Sequence, residues 1–202
     1  MLISSGEIYG PPDRLPVDED APLRPQNPYA VSKAASDLLG GQYADSAGLR
    51  VVRLRPFNHT GPGQSDDYVV GTLTRQVAEA EAAGESEALV RTGNPDSARD
   101  FSDVRDVARA YVAAGELDPG VYNIASGRAV SVRELIELVR AAARIPVRHE
   151  VDPARVRAHD VPEVRGSAER LRAVTGWTPE IPLERTVADA LEAWREELGA
   201  KR

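Results

Sequence analysis

Short apolar, β-branched segments alternate along this chain with longer segments of helical pattern. The strand-like segments cover residues 1–4, 50–57, 88–93, 120–126 and 147–151, and the helix-like segments cover 28–48, 68–83, 103–115, 132–143, 168–176 and 183–198. Parallel strands need crossover connections, which are usually helices, so this alternation favours a parallel sheet. The sequence therefore predicts an α/β fold.

Several helix starts are marked by residues that satisfy free backbone N–H groups. Pro28 suits a first helical position, and Ser131 with Glu134 forms a capping box. Asp103 and Ser167 are further predicted N-caps. Residues 58–66 are predicted to form a loop.

The bulk composition excludes several classes of function. The 202 residues carry a formal net charge of −7, which disfavours nucleic acid and anionic membranes as partners. With no cysteine there is no disulfide framework, thiolate metal site or cysteine nucleophile. We find neither an apolar run of ~18 residues nor a signal segment. The predicted protein is soluble and cytoplasmic.

Tyr29 and Lys33 stand four residues apart at the start of the first predicted helix. Positions i and i+4 share one face, and a cation near a phenol favours its ionised form. Such a tyrosine can donate or accept a proton near neutral pH. Lys33 and Lys201 are the only lysines in an arginine-rich chain. The spacing also occurs by chance, so by itself it leaves function open.

Further segments surround this pair in a fixed order. They are "SSGEIYG", "NPYAVSK", "RVVRLRPFNHTGPGQ", "RDFSDVRDVARAY", "GVYNIASGRAVSVRELI", "DPARVRAHDVP" and "GSAERLRAVTGWTPEIPLERTVADAL". Together they resemble the extended short-chain dehydrogenase/reductase family, also called the NAD-dependent epimerase/dehydratase family, over essentially the whole chain. Its members act on nucleotide-activated sugars, and the residues of these segments are most similar to those of the GDP-sugar branch.

The resemblance implies a fold and a domain division. The expected fold is the C-terminal part of a Rossmann-type doubly wound parallel sheet with a smaller α/β substrate-binding lobe. Residues 1–66 would hold the residual Rossmann elements and 67–202 mainly the sugar-nucleotide lobe, with 99–125 returning to the Rossmann sheet.

The resemblance also assigns residue roles. Tyr29 matches the acid/base tyrosine, Lys33 the lysine that holds the cofactor ribose and favours the phenolate, and Ser5 the residue that hydrogen-bonds the sugar oxygen. Glu7 completes the expected catalytic set. The expected cofactor contacts come from Tyr29, Lys33, Phe57 and His59, and the expected substrate contacts from Asn58, Val69, Arg99 and Arg157. The two arginines suit a diphosphate, because guanidinium groups bind phosphate oxygens at two points.

The Ser5-Gly6-Glu7 sequence bears on the reaction. Elimination of water needs both a base and an acid, and Gly6 has no side chain to supply one. The pattern therefore resembles the reductases, and the implied reaction is reduction of GDP-4-keto-6-deoxy-D-mannose to GDP-D-rhamnose. GDP-mannose 4,6-dehydratase and sugar-nucleotide epimerase activities are the alternatives.

The family's Gly-rich dinucleotide turn between a strand and a helix is absent from this sequence. At ~30 residues for each βαβ unit, on the order of a hundred residues of the family pattern are missing. The NAD or NADP site is therefore only partly encoded, and the sequence does not choose between the two.

Either the natural enzyme is longer, with a possible homodimer, or the chain is an inactive remnant or sugar-nucleotide-binding partner. A helical interaction module fits the ordered motifs less well. Little or no turnover is expected from the isolated chain.

No metal site is predicted. The three histidines, His59, His149 and His159, lack metal-ligand spacing, and Asp66-Asp67 is typical of a turn. His59 is expected near the pocket, and the other two are expected to be structural or exposed.

Overall fold

The structure is a computed structural model that describes residues 1–156 and 161–200. Its strands are β1 (Leu2–Ile3), β2 (Val52–Pro56), β3 (Asn58–Thr60), β4 (Ala88–Thr92), β5 (Ala98–Asp103), β6 (Gly120–Ile124), β7 (Ala129–Ser131), β8 (Val147–Val151) and β9 (Glu163–Val164). Its α-helices are α1 (Pro28–Ala47), α2 (Val69–Ala83), α3 (Val104–Ala113), α4 (Val132–Ala142), α5 (Glu169–Thr175) and α6 (Leu183–Ala200). Short 3-10 helices cover Gly6–Tyr9, Ala114–Glu116 and Pro153–Arg155. The predicted α/β fold is confirmed.

The chain forms two compact units, and each unit is built from three chain segments. The first unit comprises Met1–His59, Arg99–Ala129 and Val164–Glu180. The second comprises Thr60–Ala98, Val130–Glu163 and Ile181–Arg202. The sequence-based division placed the first boundary after residue 66 and did not assign 164–180 to the Rossmann part.

The first unit contains a three-stranded parallel sheet with the order β1-β2-β6. Ile3 is in register with Leu54, and Leu54 is in register with Tyr122. The core beside this sheet is apolar, and its fully buried members include Ile8, Leu54 and Ile124. Parallel pairing follows from the crossover helices that separate these strands in sequence.

Helix α1 begins and ends as its sequence predicts. The Asn27 side chain accepts a hydrogen bond from the Ala30 N–H at 2.8 Å, and Pro28 occupies the first turn. Gly48 ends the helix in the left-handed conformation at φ 64°. Gly40 lies inside α1, where an added Cβ would come within 3.0 Å of Leu2 Cδ1. This glycine therefore permits close packing of α1 on β1, and it is not part of a phosphate-binding turn.

The second unit pairs β4 with β8 in parallel and buries the apolar sides of α2, α4 and α6. Its fully buried residues include Leu73, Val77, Leu135 and Leu191. The Ser131–Glu134 capping box at the start of α4 is confirmed.

Two local predictions are wrong, and one strand was not predicted. Asn58–Thr60 is a strand, although it was predicted to be part of a loop, and the strand Ala98–Asp103 lies where no strand was predicted. Helix α5 has Ala168 at the N-cap position, not Ser167, although the Ser167 Oγ accepts the Glu169 N–H at 3.3 Å. The Ser167 N–H donates to the Val17 carbonyl at 2.8 Å, which keeps that residue in the preceding extended segment.

Among the described residues, none of the helices combines the length and the apolar character that a membrane span requires.

Candidate active site

The candidate site begins where β1 ends in the first unit. Ser5 is buried and acts as N-cap of the 3-10 helix Gly6–Tyr9, with its Oγ accepting the Glu7 N–H at 3.2 Å. The hydroxyl hydrogen of Ser5 is not used by this contact, because Oγ is the acceptor. Ser5 is therefore held at the strand end by its own local turn.

Tyr29 and Lys33 lie on one side of α1, as the spacing predicts. The Tyr29 side chain is 52% exposed, and Lys33 Nζ lies 5.9 Å from the centre of its ring. Lys33 Nζ also donates to the Ile3 carbonyl at 3.1 Å. This bond joins α1 to β1 two residues before Ser5, so it brings the lysine to the strand end that carries the serine.

A second link joins the same two segments on the other side of Ser5. The Nδ2 group of Asn27 donates to Oε2 of Glu7 at 3.1 Å. Asn27 is the N-cap of α1, so one side chain both starts the tyrosine helix and holds the carboxylate of Glu7. Sequence reasoning did not identify Asn27.

Gly6 packs closely against the ring of Phe57. An ideal Cβ at this position would lie 3.0 Å from Cγ and Cδ2 of Phe57, closer than ordinary van der Waals contact. The Phe57 ring is buried in the core and stacks on Tyr9 with centroids 6.2 Å apart. Phe57 therefore supplies a wall under the Ser5-Gly6-Glu7 segment, and a cofactor contact from its side chain would need the ring to leave the core.

The remaining predicted site residues are spread over several elements. Asn58 and His59 follow on β3, where Asn58 is exposed and His59 Nδ1 lies 3.1 Å from the Phe57 carbonyl oxygen. Val69 is the first residue of α2 in the second unit, and the half-buried Arg99 lies on β5 in the first. Arg157 and His159 lie outside the described residues.

Asp100, directly after Arg99, is a buried carboxylate that sequence reasoning missed. It accepts hydrogen bonds from the N–H groups of Ser126, Gly127 and Gly166 at 2.8, 2.9 and 3.1 Å, and from the Ser126 hydroxyl at 2.6 Å. Burial raises the pKa of Asp100, although these hydrogen bonds oppose the rise. The carboxylate thus holds two loops beside the strand that carries Arg99.

Arg55 on β2 is a second buried charge that sequence reasoning missed. Its guanidinium contacts Asp37 of α1 and the phenol of Tyr9, and all three residues are at most 5% exposed. Asp37 falls four residues after Lys33, so helical spacing would have placed it on the lysine side of α1. Nothing in the local sequence identifies its partner.

The described residues contain no group of three or more His, Asp or Glu side chains that could hold a metal ion. His149 lies on β8, and its Nε2 is 2.8 Å from Thr92 Oγ1. Asp66 and Asp67 form a turn, and Asp66 pairs with Arg75. These residues therefore have structural partners within the second unit.

Comparison with known proteins gives the family. The model of the family described as GDP-mannose 4,6 dehydratase matches residues 1–190. The chain belongs to this family. With the parallel strands and the Tyr29–Lys33 face, this membership places it among the Rossmann-type α/β proteins of the epimerase/dehydratase class.

Individual relatives show which enzymes of this family the chain is similar to. The chain is 41% identical over 199 residues to the GDP-6-deoxy-D-mannose reductase of Pseudomonas aeruginosa, covering 96% of this chain and 65% of the relative. It is 31% identical to a UDP-glucose 4-epimerase of Corynebacterium glutamicum, covering 98% and 64%. The solved structure of RMD from Pseudomonas aeruginosa complexed with NADPH superposes with a TM-score of 0.88 at 39% identity, covering 96% and 65%. The chain thus spans just under two thirds of the length of these relatives.

Proposed function

We propose that this chain is part of an NAD(P)-dependent sugar-nucleotide reductase that converts GDP-4-keto-6-deoxy-D-mannose to GDP-D-rhamnose. The observation that carries the choice of reaction is the contact between Gly6 and Phe57. A side chain at position 6 would require the Phe57 ring to shift by a few tenths of an ångström, and with glycine there this segment offers a hydroxyl at Ser5 and a carboxylate at Glu7 and nothing between them. Reduction of a ketone needs a single proton donor beside the hydride source.

The geometry at the β1 end supports the following catalytic roles. Tyr29 donates the proton to the sugar keto oxygen, and its exposed side chain is accessible to a substrate. The Ser5 hydroxyl donates a hydrogen bond to the same oxygen. Lys33, within 5.9 Å of the ring centre, stabilises the phenolate that results.

The reduced nicotinamide of NAD(P)H supplies the hydride when it is bound. In this chain Lys33 and Tyr29 would hold the nicotinamide ribose, because they share one side of α1, Lys33 contacts the end of β1, and both carry groups that bind hydroxyls. Backbone groups of Phe57 and the side chain of His59 are the further proposed contacts. Gly61 and Gly63 lie in the loop between β3 and α2, but that loop does not have the G-x-x-G-x-x-G spacing, so the pyrophosphate contacts are not assigned to it.

The GDP moiety is assigned to Asn58, Val69, Arg99 and Arg157. In a chain of net charge −7, a diphosphate requires local guanidinium groups, which Arg99 and Arg157 supply. The similarity to a GDP-6-deoxy-D-mannose reductase supports a GDP-sugar over a UDP-sugar. We further propose that the protein acts in the cytoplasm and that the complete enzyme is a homodimer.

A dehydratase is the second candidate. It is favoured by the carboxylate of Glu7, which Asn27 holds at 3.1 Å and which could act as acid or base in water elimination. An inactive sugar-nucleotide-binding partner is a third candidate, which a binding measurement distinguishes from the two enzymes.

The test is an assay of two forms of the protein: this chain, and the longest natural reading frame that contains it. Each is incubated with NADPH or NADH and GDP-4-keto-6-deoxy-D-mannose, or with GDP-mannose and NADP+ or NAD+, which accepts the hydride from C4. We expect NAD(P)H oxidation by the longer form, its loss in Tyr29→Phe, and little or none by this chain. Formation of the 4-keto product from GDP-mannose would assign the dehydratase reaction instead. Binding of GDP-mannose without either reaction would assign the partner role.

A further inference from the structure

One guanidinium group in the first unit contacts both segments that carry the proposed catalytic residues. Arg55 donates from Nε to Asp37 Oδ2 at 2.9 Å and from Nη2 to Asp37 Oδ1 at 2.8 Å. Its Nη1 donates to Tyr9 Oη at 2.8 Å, and the guanidinium lies 5.2 Å from the centre of the Tyr9 ring. Three of its N–H groups are thus committed to two side chains.

The two partners of Arg55 belong to the two halves of the proposed site. Asp37 lies on α1, four residues after Lys33 and eight after Tyr29. Tyr9 is the last residue of the 3-10 helix that Ser5 caps. Arg55 therefore connects the helix of the proton donor with the segment of the serine hydroxyl.

The polar surroundings of Arg55 are satisfied and shielded from water. Asp37 is fully buried, and its pKa is lowered because hydrogen bonds and charge from Arg55 outweigh the opposing effect of burial. Burial raises the pKa of Tyr9 to about 12, so its phenol stays protonated and donates to Asn123 Oδ1 at 2.7 Å. Because the group is buried, salt screens these charges little.

Other polar groups border the network, and some join the same two segments directly: Ser4 has a side-chain hydrogen bond with Asp37, and Lys33 Nζ donates to the Ile3 carbonyl. The Glu19 carbonyl accepts from Arg55 Nη1 at 3.1 Å, and Glu19 Oε1 accepts the Asn123 N–H at 2.8 Å. Arg53 lies two residues before Arg55, and its Nη1 reaches Asp37 Oδ1 at 3.2 Å. No contact of Arg53 with Tyr9 is seen among the described residues, so Arg53 provides a matched control on the same strand.

We propose that Arg55 is a positioning residue, which sets the separation between the Ser5 hydroxyl and the Tyr29–Lys33 face by holding Tyr9 and Asp37 together. The inference rests on the proposed function, because it assigns a catalytic purpose to that separation. A hydride and proton transfer depends steeply on such spacing, since a misplacement of about 1 Å can cost roughly a hundredfold in rate.

Three variants separate this role from general stability. Tyr9→Phe removes the oxygen that Arg55 contacts and leaves the Arg55–Asp37 pair. Arg55→Lys keeps a positive charge for Asp37, but an ammonium cannot reproduce the planar fork that reaches both partners. Arg53→Gln removes a contact with Asp37 and leaves the connection to Tyr9.

The first readout is amide hydrogen exchange in this 202-residue chain. In Tyr9→Phe and Arg55→Lys, the Ile8 and Gly10 amides should exchange faster, by about tenfold relative to the amides of β2 and β6. In Arg53→Gln, the exchange rate of the Ile8 and Gly10 amides relative to the amides of β2 and β6 should stay within about twofold of its wild-type value. Equal acceleration at all amides would overturn the proposal, because it would mean only global destabilisation. An effect of Tyr9→Phe without one of Arg55→Lys would assign the anchoring to Asn123 instead.

The second readout is steady-state kinetics in the longest natural form. Tyr9→Phe and Arg55→Lys should lower kcat by about tenfold or more with KM within about twofold, and Arg53→Gln should change neither. Faster amide exchange in Tyr9→Phe and Arg55→Lys with an unchanged kcat would overturn the positioning role. A wild type without turnover would count against the proposed function, and exchange alone would then decide whether Arg55 fixes the two segments.

Discussion

Asn27 holds Glu7 by a hydrogen bond of 3.1 Å from Nδ2 to Oε2 while its Oδ1 caps helix α1 at the Ala30 N–H. One amide side chain thus uses its donor for the carboxylate and its acceptor for the helix. The two uses can be separated by substitution, because an aspartate can cap but cannot donate.

The first prediction concerns this residue. Asn27→Ala removes both bonds and should lower the free energy of unfolding by about 1 kcal/mol, measured by urea denaturation. Asn27→Asp keeps the cap but faces Glu7 with a like charge. Adding Glu7→Gln to Asn27→Asp should therefore recover stability, whereas adding it to Asn27→Ala should not. If Glu7→Gln changed stability equally in the Asn27→Asp and Asn27→Ala variants, the result would contradict the hydrogen bond between Asn27 and Glu7.

The second prediction concerns the wall under the site. Gly6→Ala places a methyl group 3.0 Å from the Phe57 ring and should destabilise the protein by about 1–3 kcal/mol through overpacking. Phe57→Leu should relieve part of this cost when combined with Gly6→Ala. The control is Gly115→Ala, where a Cβ meets no atom within 4 Å and the change should stay within about 0.5 kcal/mol. A Gly6→Ala variant as stable as Gly115→Ala would disprove the contact.

The third prediction concerns the buried ion pair. Asp37→Asn leaves Arg55 without its carboxylate and should cost about 3–5 kcal/mol in unfolding free energy. Asp18→Asn removes the exposed pair with Arg14 and should cost about 1 kcal/mol or less.

The difference in unfolding free energy between the wild type and Asp37→Asn should depend on pH, and the direction of this dependence can be derived. The pKa of Asp37 is lowered in the folded chain by Arg55, so the unfolded chain takes up the proton first as the pH falls. The contribution of Asp37 is therefore complete above the ordinary aspartate value of about 3.9 and decreases as the pH falls below it. Denaturation of the wild type and Asp37→Asn between pH 7 and pH 3 should show the two free energies converging. A constant difference over that range would refute the assignment.

The fourth prediction concerns His149 in the second unit. Burial, together with the positive charges of Arg140 and Arg133, lowers the pKa of His149 below its ordinary value. As the pH falls below about 6.5, the unfolded chain is protonated before the folded one, so stability should decrease and then level off below the folded pKa. His149→Gln should flatten this slope and keep a hydrogen-bonding partner for Thr92. Identical slopes between pH 8 and pH 5 would rule out His149 as its source.

Local patterns predicted the elements whose signals are local. Pro28 and Gly48 fixed the limits of α1, and the Ser131–Glu134 pair marked the start of α4. Strand β3 was missed because it has only three residues, and β5 because its sequence is mostly polar, so the existence of both depends on pairing that the local sequence does not encode.

The candidate site likewise has some features that follow from local sequence and others that only the fold reveals. The Tyr29–Lys33 face follows from four-residue spacing and is confirmed by the 5.9 Å separation. The bond between Tyr9 and Asn123 joins positions 114 apart in sequence, so no spacing rule could identify it. The packing of the Phe57 ring against Gly6 in the core is revealed only by the folded arrangement, and the cofactor contact expected of Phe57 stays a prediction.

The division of each unit into three chain segments has a consequence for biosynthesis. Helix α2 ends at Ala83, and α6, whose buried residues complete the same unit, begins only at Leu183. At a synthesis rate of about 5–20 residues per second, the apolar side of α2 waits roughly 5–20 s for that partner. The first unit likewise awaits Val164–Glu180. Strand β4 follows α2 closely and can pack against it early, but the surface of α2 that packs against α6 stays uncovered in the nascent chain throughout that interval, so chaperones that bind apolar segments on the ribosome would have time to engage it.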